Sequence, residues 1–570
     1  MLDVRISGGT IVDGTGRPGF TGDVGIKDGR IVSLGKSDES ATRTIDADGL
    51  VVAPGFIDLH THYDAQAFWD TTLSPSPLHG VTTVFGGNCG FTIAPLSAQD
   101  GDYLMRMLAR VEGMPLESLQ AGVPWNWETT GEYLDALDGT LTPNAGFLVG
   151  HSAIRRVVMH EEATERHATR AELEAMKQLL RDGLAAGGMG FTSTWSPSHN
   201  DHTGVPVPSR ASSREELIEL CAIVSDYPGT TLEFIPAVGR FEPDVFDLMT
   251  DMSVAANRPL NWNILQVYSA NRDDVEHQLS IGDYAAERGG RVVALTLPDS
   301  FRMRLTLKTG FVLDLLPGWD RLMALADTDK LAMLKDPAGR AEMNRLAQTM
   351  NGPVRTLANW NTYTVAETFS EATRQYEGRT VGDIARERGV SDWDALCDIV
   401  VADNLLTAIR NPDRGADDAS WSDRVKVFRD HRAIVGASDA GAHLDMIETF
   451  NYATTMLARC VRERPLMPME EAINLITDAP ARLYGVRDRG RLAEGYHADV
   501  VVLDPGTIGP APVYTKFDLP AGAGRIYGGA QGIKHVFVNG VCAVEGTEFT
   551  DARPGTLLRS GRDTTTVTAH

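Results

Sequence analysis

The chain has 570 residues, of which 42% are hydrophobic and 23% charged, and its formal net charge is −24. These proportions are typical of a folded globular protein and exclude a disordered, collagen-like or coiled-coil chain. A negative field of this size repels phosphate backbones and anionic lipid surfaces, so we expect neither nucleic acid nor a membrane as a partner.

The N-terminus and the cysteines indicate a cytoplasmic protein. Residues 1–9 show no basic region followed by an apolar one, and no uncharged apolar run approaches the roughly 18 residues of a membrane span. The five cysteines lie far apart and form no CxxC pair, which is poor material for a disulfide framework.

Short strands separated by glycine turns are predicted at both ends of the chain. They fill residues 1–55, and the same sequence pattern occurs again in 498–504 and 534–546. We therefore predict a small β-sandwich built from two half-domains, 1–55 and 486–555. The residues from 556 to 570 are predicted to form a C-terminal tail with a frayed end.

Between these ends, residues 56–485 alternate apolar, β-branched runs with helical patterns, which is the order expected of βα units around a parallel sheet. A helix is clear over 170–181, and Ser213 begins another with a capping signal. The fold class is thus α/β, with a TIM-type (β/α)8 barrel. About 135 residues separate the last two strands, so we predict an inserted helical segment at about 299–430. The eight candidate strands are Phe56 to His62, Gly80 to Cys89, Gly146 to His151, Gly188 to Trp195, Thr230 to Val238, Pro259 to Leu265, Arg291 to Leu297 and Ala433 to Asp439.

The sharpest functional signal lies at the end of the first predicted strand. Residues 54–62 read Pro-Gly-Phe-Ile-Asp-Leu-His-Thr-His. Because side chains two residues apart on a strand point to the same face, His60 and His62 can share one cation. Their place at the C-terminal rim of a barrel, where barrel active sites lie, predicts a metal site.

Two further candidates end other strands. Cys89 follows the second strand between glycines that allow close backbone approach, and its thiolate can be a third soft ligand for zinc. Asp439 ends the apolar eighth strand, where a carboxylate can ligate metal and take a proton from a metal-bound water whose pKa zinc lowers to about 7. The alternatives are a buried structural cysteine and an ordinary helix N-cap.

With these motifs, the chain resembles the amidohydrolase superfamily and, within it, the D-aminoacylase (N-acyl-D-amino-acid deacylase) branch. The resemblance implies that His60 and His62 are metal ligands, that Cys89 takes the ligand role of the branch's strand-two cysteine, and that Asp439 is the catalytic acid and base. It covers nearly the full length, through segments beginning at Gly8, Ala53, Gly87, Val149, Gly190, Gly436, Gly495 and Val538.

The chain departs from the superfamily at three predicted strands. Strand four offers no lysine, which excludes a binuclear site bridged by a carboxylated lysine. Strands five and six lack the expected histidines, and the lysine that helps D-aminoacylases hold the substrate carboxylate is also missing. Glu233, Asn261 or Asn263 can supply an oxygen ligand instead, because a one-residue shift decides which side chains face the barrel centre. We take Glu233 and Asn263 as candidate metal ligands.

Other polar groups near the predicted rim are candidates for the reaction or for substrate contact. His151, at the end of the third strand, can donate to a developing oxyanion, or it can be a hydrogen-bonded structural residue. Arg302 and Arg304 follow strand seven and can pair with an anionic substrate. Trp195 and His443 are the remaining candidates for substrate binding. Two histidines after strand four are expected at the surface: His199 and His202.

Together these residues predict a metal-dependent hydrolase of a carbon–nitrogen amide-type bond in a small-molecule substrate, similar to N-acyl-D-amino-acid deacylases. One zinc ion is expected, with a second, weak site as the alternative, and Asp439 would be the general base and acid. A homo-oligomer is expected by analogy with similar barrels. The alternative functions are a cyclic amide, imide or lactone hydrolase or a lyase on the same scaffold, and a non-catalytic binding or assembly protein with a decayed site.

Overall fold

A computed structural model describes residues 1–237, 239–300, 302–309, 311–351 and 353–570 of the chain. Its strands are, in chain order, β1 (Leu2–Ile11), β2 (Phe20–Lys27), β3 (Arg30–Gly35), β4 (Ala41–Asp46), β5 (Val51–Pro54), β6 (Phe56–Asp58), β7 (Val81–Gly86), β8 (Asn144–Phe147), β9 (Val149–Gly150), β10 (Gly190–Thr194), β11 (Thr231–Ile235), β12 (Leu260–Leu265), β13 (Val292–Thr296), β14 (Arg304–Leu305), β15 (Thr364–Glu367), β16 (Ala408–Arg410), β17 (Ala433–Val435), β18 (Val500–Leu503), β19 (Gly509–Pro510), β20 (Tyr514–Lys516), β21 (Arg525–Tyr527), β22 (Ala530–Gln531), β23 (Ile533–Val538), β24 (Val541–Glu545) and β25 (Glu548–Phe549).

The α-helices of the same residues are α1 (Gly101–Val111), α2 (Leu116–Gly122), α3 (Thr130–Leu137), α4 (His151–Met159), α5 (Arg170–Ala185), α6 (Arg214–Val224), α7 (Pro243–Ala256), α8 (Arg272–Ala286), α9 (Trp319–Met323), α10 (Asp327–Lys335), α11 (Pro337–Ala347), α12 (Val381–Arg388), α13 (Asp392–Ala402), α14 (Asp418–Phe428), α15 (Tyr452–Met456), α16 (Met469–Ile476) and α17 (Asp478–Tyr484). No helix in the described part of the chain is long and apolar enough to span a lipid bilayer.

The central strands are parallel and follow one another in the predicted order. One sheet has the order β6-β7-β8, and a second has the order β17-β13-β12-β11-β10-β9. Only Leu148 separates β8 from β9. The backbone of the first strand's end meets that of the last, since His62 N–H donates to Ala440 O (2.7 Å) and Asp439 N–H to His60 O (3.1 Å). The ends of these two strands therefore lie side by side.

Most of the observed parallel strands end before their predicted carboxyl ends, although the sixth ends at Leu265 as predicted. Regular pairing stops at Asp58 in the first strand and at Val435 in the eighth, and beyond them a single bridge joins Thr61 to Ala440. Ala437 and Asp439 have positive φ angles of 60° and 59°, a conformation that ends regular pairing. The fifth strand, predicted to reach Val238, ends at Ile235, and Val238 itself lies outside the described residues.

Strands from both chain ends share one nine-stranded sheet. Its main order is β25-β24-β23-β18-β5-β1-β2-β3, with β4 paired to β1. The N-terminal half joins the C-terminal half where β5 pairs antiparallel with β18. Ile6, Val24, Val52, Val500 and Phe537 are fully buried in the core of this sheet. Apolar residues remote in sequence thus bring the two ends together.

Helices α9 to α14 occupy the interval in which a helical insertion was predicted. Their core contains Trp319, Trp360 and Trp393, with ring centroids 5.5 Å apart for the first pair and 4.7 Å for the last two. The segment also contains an antiparallel sheet of order β14-β16-β15. The sequence pattern did not predict this sheet, because its strands are only two to four residues long.

The prediction of a frayed end within residues 556–570 is wrong. Thr564 is fully buried, and its hydroxyl donates to the carbonyl of Gly229 at 2.6 Å. The next residue, Thr565, donates its N–H to Gly485 O at 2.7 Å. The polar composition of this segment suggested disorder, but its residues donate hydrogen bonds to backbone carbonyls of two distant loops.

Candidate metal centre and its cavity

Two imidazoles and a thiol converge at the end of the first two parallel strands. His60 Nε2 and His62 Nε2 lie 3.2 Å apart, and Cys89 Sγ lies 3.4 Å from the first and 3.6 Å from the second. All three residues are buried. In the described part of the chain they form the one group of three such donors whose atoms lie within 4.8 Å of one another.

Asp439 lies against the same two imidazoles. Its Oδ1 is 3.0 Å from His62 Nε2 and 3.3 Å from His60 Nε2. Burial by itself would raise the pKa of Asp439, but the hydrogen bonds from the two histidines outweigh it and hold that pKa well below its usual range. The structure therefore brings together the four residues that the motifs singled out.

The local backbone explains how each donor reaches this point. The side chain of Thr61, between the two histidines, faces away from them and donates to Phe85 O, as the alternation of a strand requires. Cys89 follows Gly87 and has a φ of 59°, so the chain turns sharply after β7. At Gly90 an added Cβ would lie 3.0 Å from Ser193 Cα, which shows why a glycine stands beside the cysteine.

A carboxylate that sequence reasoning missed contacts the imidazole of His62 on the side away from the donor cluster. Glu112 Oε1 lies 3.3 Å from His62 Nδ1, and both side chains are buried. Burial, together with the charge of Asp439, raises the pKa of Glu112 well above its usual value. Glu112 comes directly after α1, outside any strand, so neither strand periodicity nor a short motif points to it.

A second missed carboxylate ties the first strand to the eighth. Asp58 accepts hydrogen bonds from the Ser438 hydroxyl and, at 3.3 Å, from the N–H of His60. Burial raises the pKa of Asp58 to about 6 despite these bonds. The signal was present in the sequence, because Asp58 has the same strand parity as His60, but the motif drew attention to the histidines alone.

Glu233 faces the centre, and its oxygens already accept several hydrogen bonds. Cys89 N–H donates to its Oε2 at 2.9 Å, the Thr192 hydroxyl donates to the same oxygen, and the Asn263 amide donates to Oε1. Burial raises the pKa of Glu233, although His60 opposes the shift. Asn261 instead donates to Leu232 O and Tyr484. Of the three oxygen candidates, Glu233 and Asn263 thus share one network beneath Cys89.

The donor cluster opens into a cavity of about 480 Å³. Two further histidines contribute to its wall, His199 after β10 and His443 after Asp439. Burial lowers the pKa of His199 to about 3 and that of His443 to about 4, so both are neutral at pH 7. His199 was expected at the surface, and the structure corrects this, because its Nδ1 lies 2.9 Å from the Thr194 hydroxyl and its ring packs on Phe91.

The structure does not bring His151 to this cavity. His151 is fully buried, with Nδ1 2.8 Å from the Ser193 hydroxyl and Nε2 2.8 Å from Glu216 Oε1. Ser193 alternates with the inward-facing Thr192, and Glu216 belongs to α6, so the imidazole lies between strand and helix. The expectation that His151 acts on the substrate is corrected to a hydrogen-bonded structural role.

Three other candidates for substrate binding also lie outside the cavity wall. Trp195 donates to the Ser212 hydroxyl at 3.0 Å and packs on Phe234. Arg302 pairs with Asp299 at 2.5 Å and with Glu448 at 3.3 Å. The indole N–H of Trp195 and the guanidinium of Arg302, which were predicted to bind substrate, are therefore bonded to other residues of the protein.

Arg304 lines a different cavity, of about 400 Å³, which shares His443 with the first. Its guanidinium pairs with Glu367 at 2.5 Å. Of the four residues predicted to bind substrate, the structure places only His443 in the same cavity wall as His60, His62 and Cys89.

The donor set suits zinc. A thiol and two imidazoles within contact distance are the ligand types that zinc prefers, and a carboxylate stands beside them. Burial, reinforced by Glu233, raises the pKa of the Cys89 thiol well above its usual value. The thiol is therefore protonated in the absence of a cation, and a zinc ion would have to displace this proton, as is usual for thiolate ligation.

Comparison with known proteins gives a consistent result over nearly the whole chain. The sequence model of the amidohydrolase family matches residues 43–544. The chain is 30% identical over 569 residues to N-acyl-D-aspartate deacylase of Alcaligenes xylosoxydans xylosoxydans, covering 98% of this chain and 96% of that one. It is 28% identical over 564 residues to D-aminoacylase of the same organism, covering 98% and 97%.

A solved structure shows the same likeness. N-acyl-D-glutamate deacylase from Bordetella bronchiseptica, complexed with zinc and a phosphonate inhibitor that mimics the tetrahedral intermediate, is 25% identical to this chain. The two superpose with a TM-score of 0.64, covering 98% of this chain and 100% of that chain.

Proposed function

Because the chain belongs to the amidohydrolase family, and is a hydrolase of carbon–nitrogen bonds other than peptide bonds, we propose that it removes the acyl group from an N-acylated D-amino acid or a close derivative. The observation that carries this proposal is the cluster of His60, His62 and Cys89 facing Asp439 at the wall of one cavity. The choice of an acylated D-amino acid as the substrate comes from the names of the relatives.

The three clustered side chains would hold one zinc ion. Zinc bound there supplies a Lewis acid for the amide carbonyl and lowers the pKa of a water molecule. Glu112 orients His62 through Nδ1, and Glu233 orients the cysteine loop through the N–H of Cys89. Such outer contacts keep ligands in place before an ion arrives.

Asp439 carries the proton. It takes a proton from the attacking water and delivers it to the departing nitrogen, while a carbon–oxygen bond forms and the carbon–nitrogen bond breaks. Its Oδ1 lies 3.3 Å from His60 Nε2 and 3.0 Å from His62 Nε2, next to the side chains that would hold zinc. His443 and His199, neutral in the wall, are placed to contact the substrate.

The network around Glu233 favours one tightly held ion. Its oxygens accept from Cys89, Thr192 and Asn263, and Thr192 stands on the strand where a bridging lysine would be expected. Glu233 and Asn263 remain candidate ligands for a second, weakly held ion, because that site would have to compete with these hydrogen bonds.

We also propose a more detailed architecture, with a barrel and a second domain. The backbone bonds between the ends of strands one and eight support closure of the eight parallel strands into a (β/α)8 barrel. The shared nine-stranded sheet supports a second domain made of residues 1–55 and 486–555. A homo-oligomeric state and a cytoplasmic location stay predictions.

Metal content and one substitution test the function. Purified protein should hold about one zinc per chain and release the free amine from N-acetyl-D-amino acid derivatives, and removal of zinc by a chelator should abolish turnover until zinc is restored. Asp439→Asn should lower kcat by about 100-fold or more while zinc stays bound.

Asp445→Asn is the matched control, since this carboxylate lies in the same loop but contacts Thr309. Turnover that survives both zinc removal and Asp439→Asn would contradict the proposal.

A further inference from the structure

The wall of the zinc cavity has an unusual charge balance. Its carboxylates are Glu112, Asp274 and Asp439. Among the described residues that line it, none is lysine or arginine. A zinc ion held by the Cys89 thiolate and facing Asp439 is balanced by these two negative charges, which leaves the cavity without a free positive charge for a substrate anion.

The cations nearest the rim are engaged elsewhere. Arg240 pairs with Asp274 at 3.4 Å on the exposed rim. The guanidinium of Arg210 donates to His199 O at 3.0 Å and to Asn200 Oδ1 at 2.6 Å. Neither guanidinium lines the cavity.

The arginines and lysine beyond His443 belong to the second cavity. Arg304 pairs with Glu367 at 2.5 Å, Arg525 pairs with Asp518 at 2.8 Å, and Lys308 lies 3.6 Å from Asp327. The fourth cation of this cavity, Arg110, pairs with Asp314. Each of these cations has a carboxylate partner, so none is held ready for a ligand.

A helix N-terminus does not supply the missing positive charge. Helix α8 begins next to the cavity wall, to which its N-cap Asn271 and Asp274 contribute, and its first turn carries Asp273 and Asp274. Its first residue, Arg272, pairs with Asp423. These carboxylates already occupy the positive end of the helix dipole. The polar groups that remain are neutral amides and hydroxyls, including Gln266, Asn271, Gln278, Ser196, Ser198 and Tyr268.

We propose that the substrate carries no free carboxylate next to the scissile amide, so that the leaving amine is neutral or cationic, as in an N-acyl-D-amino acid whose carboxyl group is blocked as an amide. The inference rests on the proposed function and specifies its substrate class. A carboxylate moved into this cavity loses water without gaining a cationic partner, and it faces like charges. A carboxamide finds both donors and acceptors among the neutral side chains.

A matched pair of substrates tests this. N-acetyl-D-leucine and N-acetyl-D-leucinamide differ only in the blocked carboxyl group. With zinc-loaded protein we expect kcat/KM for the amide to exceed that for the acid by about tenfold or more. N-methanesulfonyl-D-leucine and its amide replace the scissile amide by a sulfonamide that is not hydrolysed, and the unmodified zinc-loaded protein, titrated with each in a calorimeter, should bind the amide more tightly by a similar factor.

A substitution that adds the missing charge gives a second readout. Gln266 lies on the exposed part of the wall. Gln266→Lys should shift the acid-to-amide ratio of kcat/KM towards the acid by about tenfold, whereas Gln266→Glu, which places a negative charge at the same point, should shift that ratio further towards the amide.

The outcomes separate this inference from the proposed function. Preference for the acid in turnover, or equal binding of the two sulfonamides, would overturn the inference even if deacylation is efficient. Failure to hydrolyse either compound would contradict the proposed function, and the calorimetric comparison would still decide the charge preference.

Discussion

Glu112 illustrates how one residue outside the donor cluster can determine its geometry. Its carboxylate lies 3.3 Å from His62 Nδ1 and leaves Nε2 directed at Cys89 and Asp439. The backbone carbonyl of Glu112 also accepts from the N–H of His443. One residue therefore joins a predicted metal ligand, His62, to the loop that follows Asp439.

We predict that Glu112→Gln weakens zinc binding by about 10- to 100-fold, because the amide orients the imidazole less strongly than a carboxylate does. Competition with a chromogenic chelator measures the dissociation constant. Glu117→Gln, an exposed carboxylate a few residues later, is the control and should bind zinc as the unmodified protein does. Equal zinc affinity in both variants would show that Glu112 does not position His62.

At the scale of elements, the contact between β10, α4 and α6 depends on a buried polar network. His151 begins α4, Ser193 lies on β10 and Glu216 lies on α6. Glu216 also accepts from Arg155 at 2.5 Å, and both are buried. Thr192, one residue before Ser193, faces Glu233 instead, so one strand supports the cavity on one face and this network on the other.

We expect His151→Gln to lower stability by about 1 to 3 kcal/mol, the cost of leaving a buried charged partner incompletely bonded. The kcat/KM of the folded, zinc-loaded variant should stay within about threefold of the original, because the imidazole lies outside the cavity. Thermal unfolding and steady-state kinetics measure the two effects. His202→Gln, on an exposed loop, is the control for stability. A large loss of kcat at unchanged stability would restore a catalytic role to His151.

At the scale of the whole molecule, both ends of the chain bond to segments that are far away in sequence. The pairing of β5 with β18 joins residues from the two ends, and the last segment bonds to loops after α6 and α17 through Gly229 and Gly485. The final residues thus fasten parts of the parallel-stranded region that are far apart in sequence.

Thr564→Val preserves the shape of the side chain but removes its hydroxyl, leaving the Gly229 carbonyl without this partner. We predict a loss of about 1 to 2 kcal/mol and a Tm lower by about 1 to 3 °C, measured by thermal unfolding of the zinc-loaded protein. Thr568→Val, at an exposed position of the same segment, should leave Tm unchanged. An unaltered Tm in both variants would mean that the bond from the Thr564 hydroxyl to Gly229 O adds nothing to the stability of the protein.

Local sequence patterns were enough to predict the order of the parallel strands and the four residues at the centre of the site. His60 and His62 share a strand face, Cys89 stands among glycines, and Asp439 ends an apolar run, so each signal is contained in a few neighbouring residues. The helix predicted over 170–181 is confirmed within α5, because apolar spacing is also a local signal.

Only the tertiary structure decided which polar groups face the cavity and which are used elsewhere. Glu112 reaches His62 across 50 positions, and Arg304 meets Glu367 across 63. Such partners are set by how helices and inserted segments pack, and no short pattern carries that information. The sequence alone thus determined which atoms can hold a metal, whereas packing decided the charge of the space around them, because a charged side chain is available to a ligand only when no partner in the fold has already taken it.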